Sequence, residues 1–553
     1  MRSRTEQIEK LTDGEFDLLI IGGGINGCGA ARDAALRGLK VALVEQRDWG
    51  AGTSSRSSKL VHGGLRYLAT FQLGLVREST AERAVQTRVA PHLVKPVLFL
   101  MPVYAEHKYG LGFMNLGLWL YDTLALFRVP RRHRKYRRRK ALALQPNLRA
   151  EGLRGALTFY DTATDDARLT LENGLDAEQL GAVTVNYARV TGLRRDEGGR
   201  VTGASVADVL GDRTVQVRAR LTLNTTGPWT DRLLALTGDH PRPLLRSTKG
   251  AHLVFDASRL PVQHAVALIH PTDQRPLFVI PWGAQVYVGT TDLDTDADPD
   301  RIHAAAEDRD NLLEAINYYF PEARITPADI VSSWCGIRPL FAPDAEMSAQ
   351  MSASKVSREH VIREEPPGLL TMVGGKLTTY RLMAAELVDQ AALLLRREGK
   401  PGPGIPVSTT RDRPLPGARS MRDQADLDAL ASRLARDEKL PAAVATHLAN
   451  TYGSRAEAVI KSAAPGDLEP LCAPHPYVWA ELDFAVRQEH AQTLEDFFAR
   501  RTQLLLRDPE ACLKLAGAAA ARMGALLDWD DKTREAQEAD LVREVTDTLR
   551  CRD

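Results

Sequence analysis

The hydrophobic pattern at the start of the chain changes period twice within thirty residues. Leu18 to Ile21 is an unbroken apolar run, the mark of a strand buried on both faces. Alanine-rich sequence with helical spacing follows to Leu36, and Gly38 stands where a helix C-terminus takes a glycine. A second apolar run, Val41 to Val44, predicts another buried strand. Residues 181–221 alternate strand-like runs with the turn signals RRDEGGR (194–200) and LGDRT (210–214), which predicts an antiparallel hairpin. Residues 242–340 mix strand and helix patterns. The Pro- and Gly-rich stretch 396–418 marks a linker. Beyond it the helical spacing of DQADLDALASRLARDEKL predicts a helical C-terminal domain over 419–553, read as packing and oligomer contacts, with a homodimer expected.

One stretch breaks these patterns. GLGFMNLGLWLYDTLALF (110–127) is apolar with a single charge, Asp122. It is too short and too glycine-broken to span a bilayer. Eight of residues 131–140 are then Lys or Arg. Two readings stand side by side: a core helix followed by a solvated basic loop, or a contact with an anionic lipid surface.

Composition narrows the class. The 553 residues are 44% hydrophobic and 26% charged, ordinary for a globular chain of about three domains. Lys+Arg is 72 against Asp+Glu 71, so no nucleic-acid partner is expected and electrostatic function must come from local clusters. Five cysteines without a C-x-x-C pair argue against a disulfide framework or a metal site and for a reducing compartment. The first residues lack the apolar core of a secretory signal.

The chemistry begins at the first turn. Gly22-x-Gly24-x-x-Gly27 lies between strand and helix, where glycines let a backbone approach a pyrophosphate and the helix N-terminus offers free N–H groups. Glu45, 18 residues after Gly27, ends the second strand where an acid can hold a ribose hydroxyl. The motif alone does not separate NAD from FAD, but its early position and LNTTGPWTDRL (221–231), with Thr226 and Gly227, favour a flavin. TSSRSSKLVHGGLRYL (53–68) combines hydroxyls and glycines with Lys59, His62 and Arg66 and no carboxylate. Two more islands share that chemistry: CGIRPL with Arg338, and GGKLTTYR (374–381) with Gly375, Lys376 and Thr378. Three such islands far apart in sequence predict one pocket with several positive groups.

These motifs, with DDARL (165–169), TKGAHLVF (248–255), FVIPW (278–282) and GTTD (289–292), resemble the FAD-dependent, respiratory glycerol-3-phosphate dehydrogenases over roughly residues 15–395. The resemblance implies an α/β fold: an FAD-binding Rossmann-like domain of the D-amino-acid-oxidase-like class, an antiparallel-sheet substrate domain and an all-helical C-terminal domain. The expected boundaries are 15–90, 151–240 and 335–395 for the FAD domain and 91–150 and 241–334 for the substrate domain. It implies oxidation of sn-glycerol 3-phosphate to dihydroxyacetone phosphate, with electrons passed to membrane quinone by a cytoplasmic protein peripheral on the inner face of the membrane. The substrate would be met by Arg66, Tyr67, Arg338 and Lys376, with His252 at the reacting carbinol and His252, Arg338 and Lys376 as the catalytic set. FAD would be held by Gly22, Gly24, Asn26, Gly27, Glu45, Thr53, Ser54, Ser58, Lys59, His62, Thr226, Gly227, Gly375 and Thr378. Arg56 departs from the small residue common in the family. Three rivals stay open: an oxidase that returns electrons to oxygen, an amine or amino-acid oxidase, and a non-catalytic flavin-binding module.

Overall fold

The computed structural model describes residues 3–68, 72–126, 131–238, 243–342, 360–397, 399 and 404–552; the side chain of Arg66 lies outside that description. Among the described residues the chain forms two sheets and a helical C-terminal region. The first sheet has the strand order Val361–Glu364, Leu369–Val373, Thr214–Asn224, Glu15–Ile21, Val41–Val44 and Val183–Val185. From Leu369–Val373 to Val183–Val185 all neighbours run parallel. Their carboxyl ends therefore open at one edge, with Ile21 opposite Asn224 on one side and Val44 on the other. The hairpin expected over 181–221 is present as Ala188–Arg195, Val201–Asp208 and Thr214–Asn224, an antiparallel meander. The apolar runs are fully buried because helices cover the sheet: Ile25–Leu36 packs with Asp166–Gln179 and Tyr380–Arg397 around Leu18, Leu43 and Leu223.

The second sheet is largely antiparallel and holds Leu245–Asp256 between Gln285–Gly289 and Ile330–Phe341. Val94–Tyr104 and Leu153–Thr164 extend it. Leu153–Thr164 and Ile330–Phe341 fall wholly or partly in segments expected within the cofactor domain, yet both pair here. The reason is length: each makes a ladder of about a dozen residues with a neighbour that is itself in this sheet.

Helix Leu111–Leu124 lies against the second sheet through Leu118, while Tyr121 packs with Tyr67 and Val76. Asp122 is buried and pairs with His133 Nδ1 at 2.7 Å, which ties the basic segment to the helix. The other face leaves Phe113 at 58% and Leu116 at 66% exposure, beside Trp119 and Leu120. All eight cations of 131–140 are exposed, and Arg134–Arg137 is a strand on the sheet edge instead of a loop. No helix among the described residues is long and apolar enough to cross a membrane.

Candidate active site

The parallel strands deliver the glycine turn, Glu45, Thr225–Gly227 and Gly374–Gly375 to one edge, and a single cavity of about 1030 Å³ runs from there onto the face of the second sheet. Ordinary small-molecule pockets are about 300–1,000 Å³. This one has room for a dinucleotide and a second ligand.

At the dinucleotide end the lining includes Gly22, Gly24, Asn26, Glu45, Thr53 and Ser54. Glu45 Oε2 accepts from Gly23 N–H at 2.6 Å and Oε1 from Arg47 N–H at 2.8 Å. Burial raises the Glu45 carboxyl above its ordinary range, and those two N–H groups work against the rise. Ser54 Oγ accepts from Ile25 N–H at 2.9 Å, at the N-terminus of the helix. Thr53 donates to Ile337 O at 2.6 Å and Thr226 to Asn224 Oδ1 at 2.7 Å. Gly27 is not a lining residue. A Cβ there would stand 1.8 Å from Gly22 O, so the glycine serves helix–strand packing.

The middle of the cavity is lined by Ser58, His62, Gly227, Gly375 and Thr378. Thr378 donates to His62 O at 3.2 Å, which joins two of the three islands. Lys59, expected at the cofactor, stands apart from the cavity lining. It is 3% exposed, sits behind the cavity wall and pairs with Asp166 at 2.7 Å. A buried cation needs a carboxylate, and DDARL supplies one 107 positions away.

At the far pole stand Tyr67, His252, Arg338 and Lys376, all lining the same cavity. Lys376 Nζ lies 4.0 Å from the centre of the Tyr67 ring and makes no ion pair within 4.0 Å among the described residues, although its charge reaches Glu78 and works against the desolvation that raises that carboxyl. Arg338 is compensated: Nη1 donates to Asp292 Oδ1 at 2.8 Å and Nη2 to Thr290 Oγ1 at 3.0 Å. Asp292 had no role in the sequence reading, although GTTD was a visible motif. The unbalanced charge thus rests on fewer cations than the sequence suggested. The role expected of the Arg66 side chain lies outside the described residues.

His252 is 2% exposed and stacked on Trp334, with ring centres 4.6 Å apart and 9° between planes. Its Nε2 is 2.8 Å from Ser58 Oγ, and its buried Nδ1 has no hydrogen-bond partner among the described residues. Desolvation first, then Arg338 and Lys59, hold the imidazole well below its ordinary titration range, so it is neutral near pH 7. It can accept a proton there. Arg56, which had no place in the sequence reading, lines the cavity. Against the desolvation of its burial, Arg500 and then Arg56 hold Glu495 of the C-terminal domain below the ordinary range.

A dinucleotide cradle at the carboxyl edge of a parallel sheet, leading to a neutral base over a second sheet, is the arrangement of a dinucleotide-dependent oxidoreductase. Residues 17–389 match the FAD dependent oxidoreductase family, and 408–534 match the C-terminal domain of alpha-glycerophosphate oxidase. The chain is 37% identical over 544 residues to the aerobic glycerol-3-phosphate dehydrogenase of Staphylococcus saprophyticus, 97% of this chain and 96% of that one. The FAD complex of the glycerol-3-phosphate dehydrogenase from Bacillus halodurans superimposes with a TM-score of 0.82 at 32% identity, over 99% of this chain and 98% of that one. The L-alpha-glycerophosphate oxidase of Mycoplasma pneumoniae, 17% identical with a TM-score of 0.52, shares the fold over 69% of this chain and 95% of that one. The chain belongs to the FAD-dependent glycerol-3-phosphate dehydrogenase family, and its cofactor is FAD. The residues present fit that group: glycines line the dinucleotide end, and the hydroxyl-rich islands line the stretch beyond it.

Proposed function

We propose that this protein oxidises sn-glycerol 3-phosphate to dihydroxyacetone phosphate and passes the electrons to membrane quinone. The observation that carries the reading is the far pole itself. A neutral, desolvated histidine lines the same cavity as Lys376 and Arg338. FAD, when bound, supplies the acceptor for the two electrons that leave as hydride from the carbinol carbon. His252 takes the hydroxyl proton as the C=O bond forms. Lys376, Tyr67 and Arg338 hold the phosphate dianion and so fix the carbinol against the flavin. An amine or amino-acid oxidase would bind a carboxylate with one arginine and would leave Lys376 without a task.

The quinone half of the reading has its own support. Away from the cations the cavity wall is apolar: Phe99 stacks on Phe159 at 5.3 Å, Phe278 meets Phe99 edge-on at 5.6 Å, and Met101 and Met114 complete the surface. An apolar acceptor suits that wall. The acceptor takes two electrons and two protons to become the quinol. The test is an anaerobic titration of the purified protein. Flavin bleaching by glycerol 3-phosphate, but not by glycerol or D-alanine, is expected, followed by faster reoxidation by a short-chain quinone than by air. Bleaching followed by faster reoxidation in air would make it an oxidase.

Membrane association follows from the same proposal. The exposed Phe113, Leu116 and Trp119 lie on a helix tied to a fully exposed basic run. Polybasic segments gain about 1 kcal/mol per Lys or Arg near an anionic surface, and the attraction decays over a Debye length of ~8 Å at physiological salt. Replacing Arg137, Arg138, Arg139 and Lys140 with Gln should release the protein from anionic vesicles and leave activity with a soluble dye intact. Co-sedimentation measured across a salt series checks this. A variant that still sediments and still uses membrane quinone at the wild-type rate would assign the run to solvent.

A further inference from the structure

Among the described residues the helical C-terminal domain contributes none to the cavity, yet a set of its buried charges converges on the cofactor end. Asp48 follows Glu45 by three positions and is completely buried. The C-terminal turn Asp496–Arg501 closes two arginines on it. Arg500 Nε donates to Asp48 Oδ2 at 2.6 Å. Arg501 donates through Nη1 to Oδ2 at 2.7 Å and through Nη2 to Oδ1 at 2.9 Å. Both guanidinium groups are themselves held from their own side, Arg501 by Glu489 O at 2.7 Å and Arg500 by Asp496 at 2.6 Å. Against the desolvation of burial, Arg501 and Arg500 pull Asp48 down to about 2, so it stays an anion at every working pH.

The next residue carries the contact inward. The Trp49 ring meets the ring of His490, from the C-terminal domain, edge-on at 6.3 Å. On its other side it presses on the glycine turn: a Cβ on Gly23 would lie 2.5 Å from the Trp49 ring. Gly50 N–H donates to Gly23 O at 2.9 Å, and Gly23 N–H donates to Glu45 Oε2 at 2.6 Å. An unbroken chain of contacts therefore runs from Arg500 and Arg501 to the turn and the acid at the dinucleotide end.

We propose that the C-terminal domain is the outer half of the cofactor site: Arg500 and Arg501, acting through Asp48 and Trp49, are positioning residues for the glycine turn and Glu45, so that FAD binding and docking of the C-terminal domain strengthen each other. Coupling of this kind is reciprocal. Whatever loosens the clamp weakens FAD binding, and FAD tightens the clamp.

The experiment uses the full chain, stripped of flavin and titrated with FAD by the change in flavin fluorescence. Asp48→Asn keeps the shape and removes the charge, and should raise the Kd for FAD ten- to a hundredfold. Arg501→Lys keeps the charge but loses the two-pronged contact, and should raise it severalfold. In the wild-type protein, amide hydrogen exchange across 489–501 should slow when FAD binds. If Asp48→Asn does not fold, Arg501→Lys and the wild-type exchange decide alone. A clamp that only holds the domains together would lower the melting temperature equally with and without FAD. Kd values at the wild-type level, or exchange across 489–501 indifferent to FAD, overturn the proposal.

Discussion

Replacement of His252 by Ala should lower kcat by ~10²–10⁴, the usual contribution of a positioned general base, while flavin content stays at the wild-type level. The geometry sets that expectation. The ring is clamped between Trp334 at 4.6 Å and the Ser58 hydroxyl at 2.8 Å, so its remaining nitrogen is held in one direction. Burial, then Arg338, then Lys59 disfavour the imidazolium. A free imidazole titrates near ~6.5, and here the folded value lies well below it. The sign follows directly. The base is neutral and active above its depressed value, so the acid limb of kcat/KM should fall below the ordinary histidine range. In the Ala variant that limb should disappear. Stopped-flow reduction of the flavin by substrate at several pH values measures both. A loss below tenfold with the limb retained would return His252 to a packing role.

What could be read from sequence follows the distance over which each feature is determined. The glycine turn is local: strand, glycines, helix and Glu45 sit within about thirty residues, and the structure places all but Gly27 on the cavity. The far pole was legible as three islands because each carries its glycines and cations in a short motif. Charge compensation was not legible. Lys59 finds Asp166 107 positions on, and Arg338 finds Asp292 46 positions back. Without those carboxylates the islands look more cationic than they are, and Lys59 looks like a ligand residue. The clamp on Asp48 comes from 452 positions away and has no motif at either end. Which sheet a strand joins was not legible for a related reason. Leu153–Thr164 and Ile330–Phe341 have strand patterns that name no sheet, and their partners are chosen by ladders with Val94–Tyr104 and Leu245–Asp256. The half-exposed helix Leu111–Leu124 carried its one clue in Asp122, a charge in an apolar run, whose partner His133 sits inside the basic segment.

Replacement of Arg338 by Met should lower kcat/KM by ~10²–10³. A charge-assisted hydrogen bond contributes ~1.5–3 kcal/mol, and a guanidinium offers a phosphate more than one. Stability should fall as well, for a different reason. Asp292 is 5% exposed and would lose the Nη1 donor at 2.8 Å. Breaking a fully buried pair costs ~3–5 kcal/mol. Arg338 is 20% exposed, so solvent reaches this pair and about 1–3 kcal/mol is expected. The two effects separate in the double variant Arg338→Met with Asp292→Asn. The amide needs no cation and can keep its contact with Thr248 Oγ1, 3.3 Å from the Asp292 oxygen. Urea unfolding should therefore show most of the lost stability restored, while kcat/KM stays low because the phosphate still lacks its guanidinium. If the second substitution restores activity along with stability, Arg338 serves only to neutralise Asp292, and the phosphate is held by Lys376 and Tyr67 without it.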